Sequence, residues 1–181
     1  MTDLDELKSN PLTIPCDPFD FDNPPFDPME IGQEMIQLMY DQQGLGLAAN
    51  QVGLKHRIFV MRGVIDVGDF ICINPRIVNL SEEQILLEEG CLSYPGLTIK
   101  IKRARHARLR FAVPDGTVHT QQFTGMTARV VQHEMDHLDG VIFYNRASKY
   151  HRDLAFRQRG KYENIKSNLQ PFVLPSDLQD N

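Results

Sequence analysis

Apolar residues recur along the chain with two different periods. Between residues 31 and 39 they fall at Ile31, Met35, Leu38 and Met39, the spacing of one helical face. Helix punctuation frames the run: Asp27 can cap it, Pro28 suits the first helical position, Glu30 lies in the first turn and Gly44 can end it. From Arg57 to about Val113 the signal is mostly that of strands, with IFVM, FICINPRIV, QILLEE and an alternating LRFAV closed by the turn Pro114-Asp115-Gly116. This predicts an antiparallel, hairpin-rich region. A short strand over 117–123 and a second helix over 124–138 follow, the helix placing Met126, Val130, His133 and His137 on one face, with Gly140 at its end. After Ser148 the pattern is helical to about residue 169, and the polar tail beyond is expected to fray. Ahead of the first helix, residues 11–28 hold six Pro and four Asp, which predicts an extended or irregular arm whose Phe side chains wrap a surface.

Composition narrows the class. With 181 residues, 41% of them hydrophobic and 24% charged, the chain fits one globular domain, with residues 1–28 as an arm and 148–181 as a C-terminal helix and tail. A collagen-like, coiled-coil or wholly disordered protein is excluded. No apolar run approaches the roughly 20 residues that span a bilayer, so no membrane partner is expected. The acidic, polar start lacks the basic-then-apolar pattern of a secretory leader and reads as cytoplasmic. Cys16, Cys72 and Cys91 are too few and scattered for a disulfide framework and read as reduced thiols. The net charge of -5 hides an asymmetry: residues 1–90 hold 16 acids and 5 bases, residues 91–181 hold 8 acids and 14 bases. The second half can attract an anionic partner, though solvated charge is the plainer reading, and nothing points to specific DNA.

The strongest chemical signal is His133-Glu134-Met135-Asp136-His137. Four residues turn a helix by about 400°, so the two imidazoles stand about 40° apart and one turn along the axis, close enough to grip one metal ion. A zinc-type catalytic site needs three protein ligands and one open position, so a third donor must come from elsewhere. Cys91, in Glu88-Glu89-Gly90-Cys91-Leu92-Ser93, can complete a Cys-His-His site, Gly90 letting the backbone turn tightly; a small buried hydrophobe is the other reading. Cys16 and Cys72 read as such hydrophobes. The stretch Gly44-Leu45-Gly46-Leu47-Ala48-Ala49-Asn50-Gln51 lacks the spacing of a dinucleotide loop and the Lys of a phosphate-cradling loop, which leaves a loop framing a cleft, with Gln51 as an amide donor.

Together, Gly44–Gln51, Glu89–Ser93 and Gln132–His137 resemble the three motifs of the peptide deformylase family, in the family's order, and the likeness covers about residues 30–147. The resemblance implies an α+β fold of antiparallel sheets packed around a central metal-binding helix, with a C-terminal helix. It implies a hydrolase that removes the N-formyl group from the N-terminal Met of nascent polypeptides and releases formate. By the same resemblance Cys91, His133 and His137 hold one divalent ion, Fe(II) in the cell with Zn(II), Ni(II) or Co(II) as replacements. Glu134 is the general base, and the amide of Gln51 and the backbone N–H of Leu92 stabilise the oxyanion. Glu89 is expected to pair with Arg103, and Gln132 and Asp136 to orient the ligand histidines. Leu45, Gly46, Gly90, Met126 and Val130 are expected at the substrate's Met side chain, and Tyr94, followed by Pro95, to narrow the entrance.

The arm departs from the family, as does the C-terminal helix, where Arg146, Lys149, Arg152, Arg157, Arg159, Lys161 and Lys166 face only Asp153 and Glu163. Bacterial members dock on the ribosome through a basic C-terminal helix, and this composition suits phosphate contact or plain solvation. Two rivals remain on the residues. A small metalloendopeptidase shares the helix motif but not the other two, and a catalytically dead ribosome-binding relative would be expected to lose a ligand or the base, whereas Cys91, His133, His137, Glu134 and Gln51 are all present.

Overall fold

The computed structural model describes residues 10–63 and 68–162, of which 160–162 by backbone alone. Its elements are helix α1 (Pro28–Asp41), strands β1 (Gly46–Ala48), β2 (Ile58–Met61), β3 (Phe70–Leu80), β4 (Gln84–Gly90), β5 (Thr98–Ala104), β6 (His106–Ala112) and β7 (Val118–Thr124), helix α2 (Gly125–Leu138) and helix α3 (Lys149–Tyr162). Short 3-10 turns lie at Pro11–Thr13, Ala49–Val52 and Phe143–Arg146.

Helix α1 starts where its caps predict. The Asp27 carboxylate accepts from the N–H of Met29 at 2.8 Å, and Pro28 fills the first turn. It stops at Asp41, three residues before the expected glycine. Gln43 takes the left-handed seat (φ 56°), while the N–H groups of Gln43 and Gly44 bond back to the carbonyls of Tyr40 and Met39. Gly32 lets the helix settle on β3, where a Cβ would strike Ile71.

The strands form two separate layers. Five make an antiparallel sheet in the order β1-β2-β3-β6-β7, and β4 and β5 pair only with each other. Because β3 pairs with β6, the β4–β5 segment between them leaves the sheet as a two-stranded ribbon. One face of the sheet packs on α1, through Ile58, Val60, Ile71 and Ile73 against Ile31, Met35 and Met39. Another buried cluster joins Phe59, Cys72, Leu109, Phe111 and Phe123 to Ala128, Val131, Met135 and Leu138 of α2. The ribbon closes over the other side of α2 and shares a third cluster with Phe143 and Ala155 of the C-terminal elements. The architecture is α+β, with the antiparallel sheets and helix α2 between them.

Residues 44–51, expected as a loop, are instead the edge strand β1 followed by a 3-10 turn; Leu47 pairs with Val60. Their alternation is too short to be seen in a Gly- and Ala-rich stretch. The arm from residue 10 is irregular but anchored: the N–H of Cys16 donates to the carbonyl of Leu138, and the Asn74 side chain bonds both the N–H and the C=O of Phe19. Rings of Phe19, Phe21, Phe26 and His56 stack edgewise beneath it. Helix α3 buries Ala155 and leaves Tyr150, Leu154 and Phe156 exposed; the part of the expected helix beyond residue 162 lies outside the described residues. Among those residues, no helix is long and apolar enough to cross a membrane.

Candidate metal centre and active site

Helix α2 is unusual in composition for a helix buried on all sides: nine of its last ten residues are buried, among them Arg129, Gln132, His133, Glu134, Asp136 and His137. Buried polar groups require partners, and here the partners come from the ribbon and the β1 edge. Strand β4 ends at Gly90, which delivers Cys91 opposite the helix. The Cys91 sulfur lies 3.2 Å from Nε2 of His137, the two imidazole rings are 4.9 Å apart between centroids, and ligand atoms of Cys91, His133 and His137 all fall within 4.8 Å of one another. Among the described residues this is the group of three that can hold a metal ion.

The donor set fits such an ion. One thiol and two imidazoles supply three protein ligands and leave a fourth position open, and Cys91 is half-buried while both histidines are buried. Glu89 lies 3.1 Å from Nδ1 of His133; a carboxylate only accepts, so this nitrogen donates and Nε2 is left for the metal side. Burial disfavours charge on His133, yet Cys91, Glu89 and Glu134 carry its pKa up to about 10. Burial and the facing His133 push His137 down to about 3.

Glu134 faces the same space from the helix. Burial drives its pKa up to about 7, against the pull of His133 and Arg103, and its Oε2 has no hydrogen-bond partner among the described residues. Gly46 of β1 approaches so closely that a Cβ there would collide with the Glu134 carboxylate and with Val130, which explains a glycine at that position. Gly44 likewise makes room for the Leu92 side chain. Gln51 is held by its oxygen, which accepts from the N–H of Ala48 at 2.8 Å; its amide nitrogen is thereby turned to Ser93 Oγ at 3.0 Å and the Cys91 sulfur at 3.7 Å. The three motifs thus meet around one point.

The ribbon is locked to the helix by a buried ionic group. Arg103 donates to both oxygens of Glu89, at 2.6 and 2.9 Å, and to Asp136 at 2.7 Å. Burial raises the Glu89 pKa, but the bonds from His133 and Arg103 overcome it and bring it down to about 2. Gln132 and Asp136 were expected on the ligand histidines, and neither is there. Gln132 bonds the N–H and C=O of Ala104, and Asp136 bonds Arg103 and Arg146, because their positions on the helix turn them toward the ribbon and the 3-10 turn. Gly90 makes no tight turn: it is still paired with Thr98, and a Cβ would meet only ordinary contact at the Leu97 carbonyl. Tyr94 is half-buried against Phe143 and Tyr144, and Asn10 donates to its hydroxyl. Leu45 and Met126 are 48% and 50% exposed, large apolar side chains left open, with the half-buried Val130 on the same helix as Met126.

Four partners escaped the sequence reading. Arg129 bonds Glu89 and two ribbon carbonyls, and Arg146 bonds Asp136. Asn50 caps the His137 carbonyl at 2.6 Å, and Ser93 receives Gln51. None of the four left a local signal, since each meets a partner at least ten residues away.

This fold and donor set define a metallohydrolase-type site, and comparison with known proteins gives the family. The profile of the polypeptide deformylase family matches residues 2–153. A peptide deformylase of Wolbachia pipientis wMel is 40% identical over 143 residues, 73% of this chain and 80% of that protein. The crystal structure of the Thermotoga maritima peptide deformylase superposes with a TM-score of 0.71 at 34% identity, covering 78% of this chain and 93% of that one. That of the Synechococcus elongatus enzyme gives 0.77 at 28% identity, covering 85% of each. The chain belongs to the peptide deformylase family. It is a hydrolase that removes the N-formyl group from nascent polypeptides, and the family implies a catalytic metal ion, for which the Cys91, His133 and His137 cluster is present. The endopeptidase and dead-relative readings are not favoured.

Proposed function

We propose that hydrolysis of the formyl amide is carried out by Glu134 as general base, with Cys91, His133 and His137 holding the metal. The single observation that supports this most is the buried Glu134 carboxylate beside the three-donor cluster, whose Oε2 has no hydrogen-bond partner among the described residues. A bound divalent ion supplies Lewis acidity and lowers the pKa of its water. Glu134 takes the proton of the attacking water and passes it to the leaving amine, which departs as the free N-terminus while formate is released. The Gln51 amide, already aimed into the site, and the Leu92 N–H donate to the developing oxyanion. Leu45, Met126 and Val130 receive the formyl-Met side chain, with Gly46 and Gly90 leaving space beside them; the exposure of the first two supports this. Fe(II) is the native ion, with Zn(II), Ni(II) or Co(II) able to replace it, since thiolate and imidazole suit all four; metal analysis of anaerobically purified protein tests it. The setting is the cytoplasm, as the nascent-chain substrate suggests.

The decisive experiment is Glu134→Gln, assayed by formate release from a formyl-Met peptide on metal-replete protein. Loss of a general base lowers the rate by about 10²–10⁴, and the metal content stays near one equivalent. A fall of less than about tenfold, below the usual contribution of a general base, overturns the assignment. Gln51→Ala is expected to slow turnover by about 10²–10³ without metal loss. Docking on the ribosome through the basic C-terminal segment is a further part of the reading, supported by the run of cations from Arg146 on. Truncation after residue 147 should abolish salt-sensitive co-sedimentation with ribosomes, and unchanged sedimentation refutes it.

A further inference from the structure

The metal ligands sit on two bodies that, among the described residues, no sheet hydrogen bond joins. His133 and His137 ride on α2, which is packed on the five-stranded sheet, while Cys91 directly follows strand β4 of the separate ribbon. The separation of sulfur and imidazoles is therefore set by whatever docks ribbon on helix. At the centre of that seam is Arg129, 4% exposed, whose guanidinium reaches three acceptors at once: Glu89, the Ile101 carbonyl of β5 at 3.0 Å and the Ile85 carbonyl of β4 at 2.7 Å. It stands one helical turn before His133, and Glu89 stands two residues before Cys91. The Glu89 oxygen that Arg129 leaves free is the one on His133.

We infer that Arg129 is a positioning residue for the metal centre: it clamps both ribbon strands and Glu89 to helix α2, and so fixes Cys91 and the ring of His133 in mutual register. This rests on the assignment of Cys91 and His133 as ligands. A guanidinium suits the task because its planar fork serves several acceptors in fixed directions, which an ammonium point charge cannot do. A plain structural clamp would hold the fold without affecting the ligands. The two roles separate on the metal itself, since partners behind a ligand typically change metal affinity by about 10- to 100-fold.

The test uses the full chain loaded with Co(II), comparing the parent with Arg129→Met and Arg129→Lys. At a temperature well below every thermal midpoint, release of Co(II) to a chromogenic chelator should be at least about tenfold faster in both variants, and the thiolate-to-Co(II) absorption band should weaken or shift. In a Glu89→Gln background, Arg129→Lys should add clearly less than it does alone, because Arg129 acts through Glu89. Should the Met variant fail to fold, the Lys variant and this cycle decide. An unchanged release rate and band with only a lower midpoint overturns the inference, as does full additivity. Cys91→Ala, run beside them, separates the failures: if it keeps a full equivalent of Co(II), the ligand assignment itself has failed.

Discussion

Helix α2 is held from two sides by different forces. Toward the sheet it turns Ala128, Val131, Met135 and Leu138 into an apolar cluster with Phe59, Leu109, Phe111 and Phe123. Toward the ribbon it turns Arg129, Gln132, His133 and Asp136, each met by a directed hydrogen bond. Apolar burial is strong but indifferent to small shifts, since its strength follows area removed from water. Hydrogen bonds to charged groups fade steeply with distance and angle. The sheet side is thus suited to hold the helix in the molecule, and the ribbon side to hold it at a defined distance from Cys91. A buried ionic seam is weak evidence for stability, since desolvation offsets most of its attraction, but it makes a precise spacer.

If that division holds, substitutions on the two sides should separate into losses of metal and losses of stability. The largest effect is expected from the ribbon's own ligand: Cys91→Ala leaves two donors, and metal content measured after dialysis should fall far below one equivalent, with the metal-linked part of the thermal midpoint lost. On the sheet side, Leu109→Ala should lower unfolding free energy by about 2–5 kcal/mol in denaturant titrations, with metal content unchanged at low denaturant. Loss of metal there would break the comparison. Glu89→Gln should weaken metal retention by about 10- to 100-fold in a competition titration, and a larger loss of stability than of metal affinity would reverse the assignment of roles. The thiols should separate in the same way: burial pushes Cys16 up to about 11 and Cys72 well above its usual value, so alkylation of metal-stripped, folded protein should map to the half-buried Cys91. The smallest effect is expected at the half-open pair of Arg57 and Asp139, 2.8 Å apart near the end of α2. Arg57→Ala should cost no more than about 1 kcal/mol for the ion pair, with metal content intact.

This division also marks what could be read from residues alone. The helix of His133 and His137, its length, and the cap at Asp27 and Pro28 were legible because each depends on local spacing and local hydrogen bonds. The departure of β4 and β5 from the main sheet was not, since QILLEE and the strand before it have the same alternation whether or not they share a sheet. The same holds for Gln132 and Asp136. Their nearness to the histidines in sequence suggested contact, but adjacent residues on a helix point about 100° apart, which turns each to a different neighbour, and that neighbour is set by the ribbon's position. The partners of Tyr94 were out of reach for a related reason: Phe143 and Tyr144 lie some 50 residues on, and Asn10 lies 84 residues back. Arg129 carried no local cue to what it meets, since its acceptors lie 28 to 44 residues back.

The bond from the arm to the end of α2 bears on how the chain comes to fold. Cys16 waits for the carbonyl of Leu138, and Gly140 packs under Thr13, where a Cβ would strike backbone. Contacts this far apart carry a large loop-closure cost and form late. During synthesis Cys16 cannot seat until some 120 further residues have been made, and by then α1, the β2–β3 pair and the contacts of Phe19 with His56 and Asn74 can already be in place. Native-state hydrogen exchange should therefore find the Cys16 amide opening at lower free energy than those of β2 and β3, as the last-made closure is the first to be released.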